Sequence, residues 1–483
     1  MYITLKDIGP IRYTSFELND LTIICGSNNT GKTYATYSLF GFLDSWKGML
    51  IDIKENPEDI TFSNLISSDG ICINLKNCIQ YTIDYVSRAC DIYSKSLYEV
   101  FASNESRFKD CEFMIHLEES DFDDALSREY SRTSRVPVMS SSGGLNSATL
   151  KFTKKENSSD LFVQFFFGLE DFDLDDLNKQ IPPKYIELLV WRTVVNALTD
   201  NLIPSPYISS AERTGAAIFR QDLDFARNNF IDAIKKYGAD DIGAVFQSSA
   251  DFQYPIPVQS NVDFMRSLES QSKKDSYIKK NHSYILRNFQ NIIGGSYGIT
   301  KSNVIQYTPS IKKSIRLSVD DASSSVRSLL DVGFYLKHVA KQGDILMIDE
   351  PELNLHPENQ RKVARLLASL TNIGIKVFIT THSDYIIREL NTLILLYQNR
   401  DISLEHPVIS NEKYTKEELL SPQDVNVYRT GKKSILVPEN KRKTSINTLI
   451  ECPIDDMGIS VESFDLSINI MNSIQDFIIW GQQ

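Results

Sequence analysis

An α/β fold built round a parallel central sheet is predicted by three stretches of this chain. The first is the apolar run Leu21-Thr22-Ile23-Ile24-Cys25, which leads straight into GSNNTGKT at residues 26–33. The second is Ile345 to Ile348, ending in Asp349-Glu350. The third is Ile375 to Ile379, ending in Thr380-Thr381-His382-Ser383. Unbroken apolar runs are what a strand covered on both faces requires. Between the second and third lies ENQRKVARLLASLTN, whose Val363, Leu366, Leu367 and Leu370 follow helical spacing. Strand, helix, strand with a right-handed crossover points both strand ends at one edge of the sheet. Open α/β sheets bind their ligands at that edge.

The turn at residues 26–33 has the phosphate-loop pattern: a glycine, four free positions, then Gly31-Lys32-Thr33. A helix is predicted to open at about Lys32, so backbone N–H groups of Gly26, Ser27, Asn28, Asn29, Thr30, Gly31, Lys32, Thr33 and Tyr34 surround one anion site. Lys32 can reach the β- and γ-phosphates, and the Thr33 hydroxyl can ligate Mg²⁺. The competing reading is an ordinary Gly/Asn-rich turn. Four apolar residues feeding two acids favour the phosphate reading. Asp349 fits a magnesium-associated acid, and Glu350 fits a base that orients and deprotonates water. His382, on the neighbouring strand, is placed to contact the γ-phosphate. A lone histidine is more often structural, but this one shares its edge with the other two parts.

Composition narrows the class. The chain has 483 residues, 42% hydrophobic and 24% charged, which suits a multi-unit globular protein. No apolar stretch reaches the ~18 residues of a membrane helix, and MYITLKDIGPIRYTSF alternates like a strand rather than a secretory leader. Six scattered cysteines form no CxxC pair, so reduced thiols and a cytoplasmic location are expected. A net charge of −12 argues against a surface coated for DNA, although basic clusters at Lys432-Lys433 and Lys441-Arg442-Lys443 leave room for a local groove.

GSNNTGKT, ILMIDEPELNLHP and FITTHS together resemble the ABC-type ATPase head of SMC, RecF and OLD-nuclease relatives. The opening LKDIGPIRYTSFELNDLTIICGSNNTGKTYATYSLFGFL and PYISSAERTG (206–215) are similar to a bacterial branch of stand-alone ATPases of anti-phage defence systems. The likeness covers roughly 1–45 and 200–400. It implies a mixed central sheet flanked by helices, an antiparallel β subdomain, and an inserted, mainly helical domain. It further implies that Lys32 and Thr33 belong to Walker A, Asp349 and Glu350 to Walker B, and His382 to the H-loop. Glu352-Leu353-Asn354-Leu355-His356 would form the D-loop that touches a partner subunit. Such heads carry a serine-led signature that meets the γ-phosphate across a dimer. The best match is Ala322-Ser323-Ser324-Ser325-Val326-Arg327-Ser328, with serine where glycine is usual. Capping of the following helix by Ser323, Ser324 or Ser325 is the alternative. Gln221 is the candidate for the Mg²⁺-sensing glutamine.

Lys32 and Asp349 lie 317 positions apart, so material is inserted. The expected layout is 1–45 for the first part of the head, 46–200 for the insertion, 201–400 for the second part and 401–483 for an extension completing the head. Within the insertion, 78–101 and 183–198 read as helices, 134–148 as a loop and 148–168 as a hairpin. Residues 261–293 read as one long polar helix. Phe165-Phe166-Phe167 is either a partner surface or core. No heptad array predicts SMC-type arms. The tail is too short for the nuclease domain of OLD-type relatives.

The function this supports is an ATPase using ATP and Mg²⁺. Two copies, or a higher homo-oligomer, would sandwich nucleotide and switch a separately encoded effector, a nuclease or toxin of a toxin–antitoxin kind. The alternatives are a RecF- or SMC-like head that clamps nucleic acid directly, and a scaffold that binds ATP without hydrolysis. No membrane partner is expected.

Overall fold

The computed structural model describes residues 1–49, 70–139, 145–166, 183–218, 254–300, 304–399, 401–435, 443–460 and 470–478. Two compact units emerge. One comprises Met1–Tyr2, Phe42–Ser94 and Phe113–Ser205; the other comprises Ile3–Gly41, Lys95–Glu112 and Pro206–Gln483.

The elements used below, in chain order, begin with β1 (Tyr2–Ile8), β2 (Ile11–Glu17), β3 (Leu21–Cys25) and α1 (Lys32–Met49). Then come β4 (Ile71–Asn74), α2 (Ile79–Val100), β5 (Glu112–His116), β6 (Tyr130–Met139), β7 (Leu145–Lys154), β8 (Asp160–Phe166) and α3 (Pro183–Thr199). They continue with β9 (Pro206–Ser209), α4 (Arg213–Ile218), α5 (Ile256–Gln271), α6 (Tyr277–Asn281), α7 (Ser283–Ile293), β10 (Gly295–Ile299), β11 (Ile305–Pro309) and β12 (Leu317–Ser318). The last are α8 (Ser324–Ser328), α9 (Leu330–His338), β13 (Ile345–Asp349), α10 (Pro357–Thr371), β14 (Lys376–Thr381), α11 (Asp384–Gln398), β15 (Val425–Ile435) and β16 (Thr444–Cys452).

The larger unit is organised by a six-stranded sheet in the order β16-β15-β3-β14-β13-β9. β3, β14, β13, β9 and β15 are parallel to their neighbours, and β16 closes the edge antiparallel to β15. The continuous apolar runs are explained by their burial: every residue of β3 and of β13 is buried. α10 covers one face with Val363, Ala364, Leu366, Leu367 and Leu370, and Arg361, Lys362 and Arg365 lie outside that stripe. Cutting Leu346 or Ile348 back to alanine in such a layer typically costs about 2–5 kcal/mol. A separate antiparallel ladder joins β10, β11 and β12.

The register fixes the functional edge. Asp349 pairs with Thr380, Thr381 with Cys25, and Cys25 with Arg429. The ends of β3, β13 and β14 therefore lie side by side, and β15 runs past them. Two of these strands come from the middle of the chain, one from the start and one from the tail.

The smaller unit holds the antiparallel sheet β4-β8-β7-β6 and helical packing around Trp191, whose ring meets Tyr85 edge-on at 5.9 Å. Leu150, Phe152, Leu161 and Val163 fill the inner face of the sheet. The stretch read as a loop at 134–148 instead belongs largely to the β6–β7 ladder, which pairs Ser134 with Leu150 and Met139 with Leu145; residues 140–144 lie outside the described residues. Alternating polar side chains on the outer face of this ladder hid it from a reading by apolar content. The 148–168 hairpin is β7 and β8. Phe166 is exposed, Phe165 is half-buried, and Phe167 lies outside the described residues. In the larger unit, the single helix expected at 261–293 is three, α5, α6 and α7. Ser276 breaks it by accepting the Lys279 N–H at 2.9 Å, a new helix cap.

Candidate nucleotide site

The turn after β3 is built on backbone positions that only particular residues tolerate. Gly26 has φ +130° and Gly31 φ +106°. A Cβ at Gly26 would stand 2.2 Å from the Thr430 hydroxyl, and one at Gly31 would meet Ile11. Asn29 takes φ +59°, a left-handed value that asparagine accepts more readily than most residues. α1 then starts at Lys32, with Ala35 N–H donating to Gly31 O at 3.0 Å. The N–H groups of the first turn have no partner within the helix, which leaves donors for an anion.

Lys32 is buried and donates to the carbonyls of Gly26 at 3.1 Å and Ser27 at 2.8 Å, closing the turn on itself. Burial lowers its pKa, opposed by the negative charges of Glu350 and Asp349. The Thr33 hydroxyl donates to Asp349 Oδ2 at 3.3 Å. The other Asp349 oxygen accepts the Thr380 hydroxyl. Burial raises the Asp349 pKa, with the Thr380 hydrogen bond pulling against it. A buried acid beside a threonine hydroxyl is a hard-oxygen pair, the donor type that suits Mg²⁺, which takes one or two protein groups and completes its shell with phosphate and water.

Glu350 differs from its neighbour. Its side chain is 31% exposed where Asp349 is nearly covered, so it alone of the two can meet solvent. Its backbone sits at φ +54°, a strained value for glutamate. Its N–H is held by Thr380, through the carbonyl at 3.1 Å and the hydroxyl at 3.2 Å. His382 Nε2 stands 3.6 Å from Glu350 Oε1. Burial, then the nearby Lys32 charge, lower the His382 pKa, opposed by the Asp349 charge.

The structure therefore brings Lys32, Thr33, Asp349, Glu350 and His382 to one edge of the sheet. Other predicted positions are placed differently. The hydroxyl of Thr30 turns back to Ser27 O at 2.7 Å and to Thr430 at 2.6 Å, so it braces the turn. Ser27, Asn28 and Asn29 are exposed along its rim. The Tyr34 ring packs on Gly9 and stacks on Phe101 at 4.9 Å, leaving only its main chain for an anion. Glu352 does not face outward from its turn: its carboxylate accepts the Thr381 hydroxyl at 2.9 Å and the His382 N–H at 2.6 Å. His356 caps α10, accepting the Glu358 N–H at 3.4 Å. Ser323 and Ser324 are exposed and Ser325 is half-buried. Ser323 occupies the cap position of α8, yet its hydroxyl bonds Ser325 Oγ at 2.9 Å rather than a backbone N–H. The capping alternative is not what these hydroxyls do. Gln221 lies outside the described residues.

Several contributors escaped the sequence reading. Thr430 on β15 wedges under the turn, reaching Cys25 O at 3.3 Å as well as Thr30. Thr380 orients both acids. Tyr37 donates to Glu212 at 2.9 Å close to the site. Arg213 lies buried behind β13. The one available signal was the register of β14 against β13, which follows once both strands are placed.

Comparison with known proteins adds the following. A family model described as an AAA ATPase domain matches residues 1–387. UvrABC system protein A of Clostridium perfringens (strain 13 / Type A) is 22% identical over 297 residues, which cover 57% of this chain and 30% of that protein. The chain thus spans less than a third of that relative's length. Among solved structures, the SMC head domain from Thermotoga maritima aligns with TM-score 0.31 and 9% identity, covering 94% of this chain and 98% of its own. The Smc head domain with an extended coiled coil bound to the C-terminal domain of ScpA, from Pyrococcus furiosus, aligns with TM-score 0.31 and 10% identity over 98% of both chains. Alignments this loose carry no residue across. No helix among the described residues is long and apolar enough to cross a membrane.

Proposed function

This chain belongs to the AAA ATPase domain family, and on that premise we propose that it hydrolyses ATP where Lys32, Thr33, Asp349, Glu350 and His382 meet. One observation carries the reading: Thr33 and Asp349, 316 positions apart, lie 3.3 Å from each other beside the lysine of a phosphate-type turn. In this reading the N–H groups of Gly26 to Tyr34 cradle the triphosphate. Lys32 exchanges the Gly26 and Ser27 carbonyls for phosphate oxygens, a stronger partner for a buried ammonium. Thr33 and Asp349 would hold Mg²⁺, which supplies neutralisation of the phosphate charge when bound. Glu350, open to solvent, orients water and takes its proton. His382, whose Nε2 stands 3.6 Å from Glu350 Oε1, would face the terminal phosphate.

The Ser323 and Ser325 hydroxyls bond each other, and we assign Ser323, Ser324 and Ser325 to the nucleotide of a second copy. ATP would then join two chains, and its turnover would separate them. The wider role we propose is a cytoplasmic switch over a separately encoded nuclease or toxin in anti-phage defence. The sequence similarities at 1–45 and 206–215 support that role.

The test is Glu350→Gln. ATP affinity should stay within about threefold while phosphate release falls by about 10²-fold or more, the usual worth of a general base. Light scattering should find a dimer that persists in ATP. Wild-type phosphate release from this variant would remove Glu350 from the mechanism.

A further inference from the structure

Arg213 is 2% exposed, among the largest fully buried side chains of the described residues. No carboxylate meets it within hydrogen-bond reach among the described residues. Its guanidinium instead donates to four main-chain carbonyls. Nε reaches Ser328 O at 2.7 Å, Nη1 reaches Ser210 O at 2.9 Å and Asp349 O at 2.6 Å, and Nη2 reaches Glu350 O at 2.7 Å. A planar fork with five donors is the one side chain that can hold so many acceptors in fixed geometry.

A buried cation is costly to place unless its hydrogen bonds are satisfied. Burial lowers the Arg213 pKa, and the buried carboxylate of Asp331, first among its opposing charges, acts against this. The distribution of its bonds says what this cation does. Two go to Asp349 and Glu350, at the point where Glu350 adopts φ +54°. That conformation persists only where neighbours over-determine it. Thr380 holds the Glu350 N–H, and Arg213 holds the Glu350 carbonyl. Both polar main-chain groups of this residue are thus fixed, which sets the direction in which its Cα–Cβ bond leaves the backbone. The remaining bond that matters goes to Ser328, which ends α8, the short helix that begins at Ser324 beside the exposed Ser323.

We propose that Arg213 is a positioning residue that sets the orientation of Glu350 and couples it to the serine segment Ser323–Ser328. One rigid guanidinium bridges the two, so a displacement of α8 is transmitted to the turn that carries the base. Engagement of the serines by a partner's nucleotide would in this way tighten Glu350 in its own chain. The inference rests on Glu350 being the base, as proposed above.

The experiment compares Arg213→Lys, Arg213→Ala and Glu350→Gln in the full-length protein. Turnover is expressed per molecule that binds a fluorescent ATP analogue, so unfolded protein does not enter the rate. Lysine keeps the charge but cannot span four carbonyls. Arg213→Lys should bind the analogue within about threefold of wild type and lose about 10- to 100-fold in kcat, the worth of one or two charge-assisted hydrogen bonds. Millimolar guanidinium should restore part of the turnover of Arg213→Ala and none of that of Glu350→Gln. Ser323→Ala with Ser325→Ala should lower kcat in the wild-type background and have little further effect in Arg213→Lys, a non-additive cycle. Wild-type kcat in Arg213→Lys overturns the proposal. So do additive serine and arginine effects, and so does loss of nucleotide binding in both arginine variants, which would make Arg213 merely structural. If Glu350→Gln keeps full turnover, the reading of the base fails first, and the two failures are told apart.

Discussion

Two hydroxyl-bearing segments of this protein have opposite fates. The turn Gly26–Thr33 is folded into its own chain, where Lys32 is buried, Thr33 touches Asp349, and Thr30 is locked to Thr430. Ser323 and Ser324 are exposed, Ser325 is half-buried, and the hydroxyls of Ser323 and Ser325 bond each other. The first is stabilised by its surroundings whether or not nucleotide is present. The second has no fold-stabilising task that its hydroxyls perform. Hydroxyls held in the fold affect stability when removed, whereas hydroxyls that only await a ligand affect turnover.

The sharpest way to break the contrast is at the serines. Ser323→Ala with Ser325→Ala is expected to reduce ATP turnover by about tenfold or more, the loss of a hydrogen bond to a charged oxygen. Stability should stay within ~0.5 kcal/mol of wild type, as is usual for substitutions that remove no cap and open no core cavity. A clear drop in stability with unchanged turnover would reverse the assignment of the two segments.

At the turn, Gly26→Ala should act the other way. A Cβ there meets the Thr430 hydroxyl at 2.2 Å, and φ is +130°. A loss of roughly 1–3 kcal/mol in denaturant unfolding is expected, with ATP binding weakened as the turn distorts. Adding Thr430→Ala should relieve part of this by removing the opposed hydroxyl. If that second change relieves nothing, the tail strand is not what shapes the turn.

The smallest effect should be in pH. Burial and the Lys32 charge lower the His382 pKa below its ordinary value of about 6.5. The unfolded chain therefore binds this proton more readily than the folded one. The stability linked to His382 is fully present above the ordinary value and declines as pH falls below it. His382→Asn should flatten the acid limb of a stability–pH curve measured between neutral pH and pH ~5. An identical acid limb in the variant would mean that the ring titrates as in water. Ser323→Ala should leave this limb unchanged.

Much of the site was legible before any coordinates. Apolar runs ending in polar residues located β3, β13 and β14, because a strand buried on both faces has no choice but to be apolar throughout. The phosphate-type turn and the acid pair then followed from where those runs stopped. The β6–β7 ladder was missed because one of its faces is polar. The break at Ser276 was missed because a helix cap can sit unnoticed inside a polar stretch. The segment Glu352–His356 reads as a partner-facing loop; that its Glu352 carboxylate is tied to Thr381 and His382 could not be read locally, because those bonds depend on the pairing of two strands.

The sequence by itself determined which residues could do chemistry, since residue type and local spacing set the donors, acceptors and charges within one turn or strand. Tertiary structure alone decided what holds them. Thr430 under the phosphate turn lies 400 positions from Thr30, and Arg213 behind the acid pair lies 136 from Asp349. Such partnerships leave no local pattern, because they are made by strand order and burial, which only the folded chain possesses.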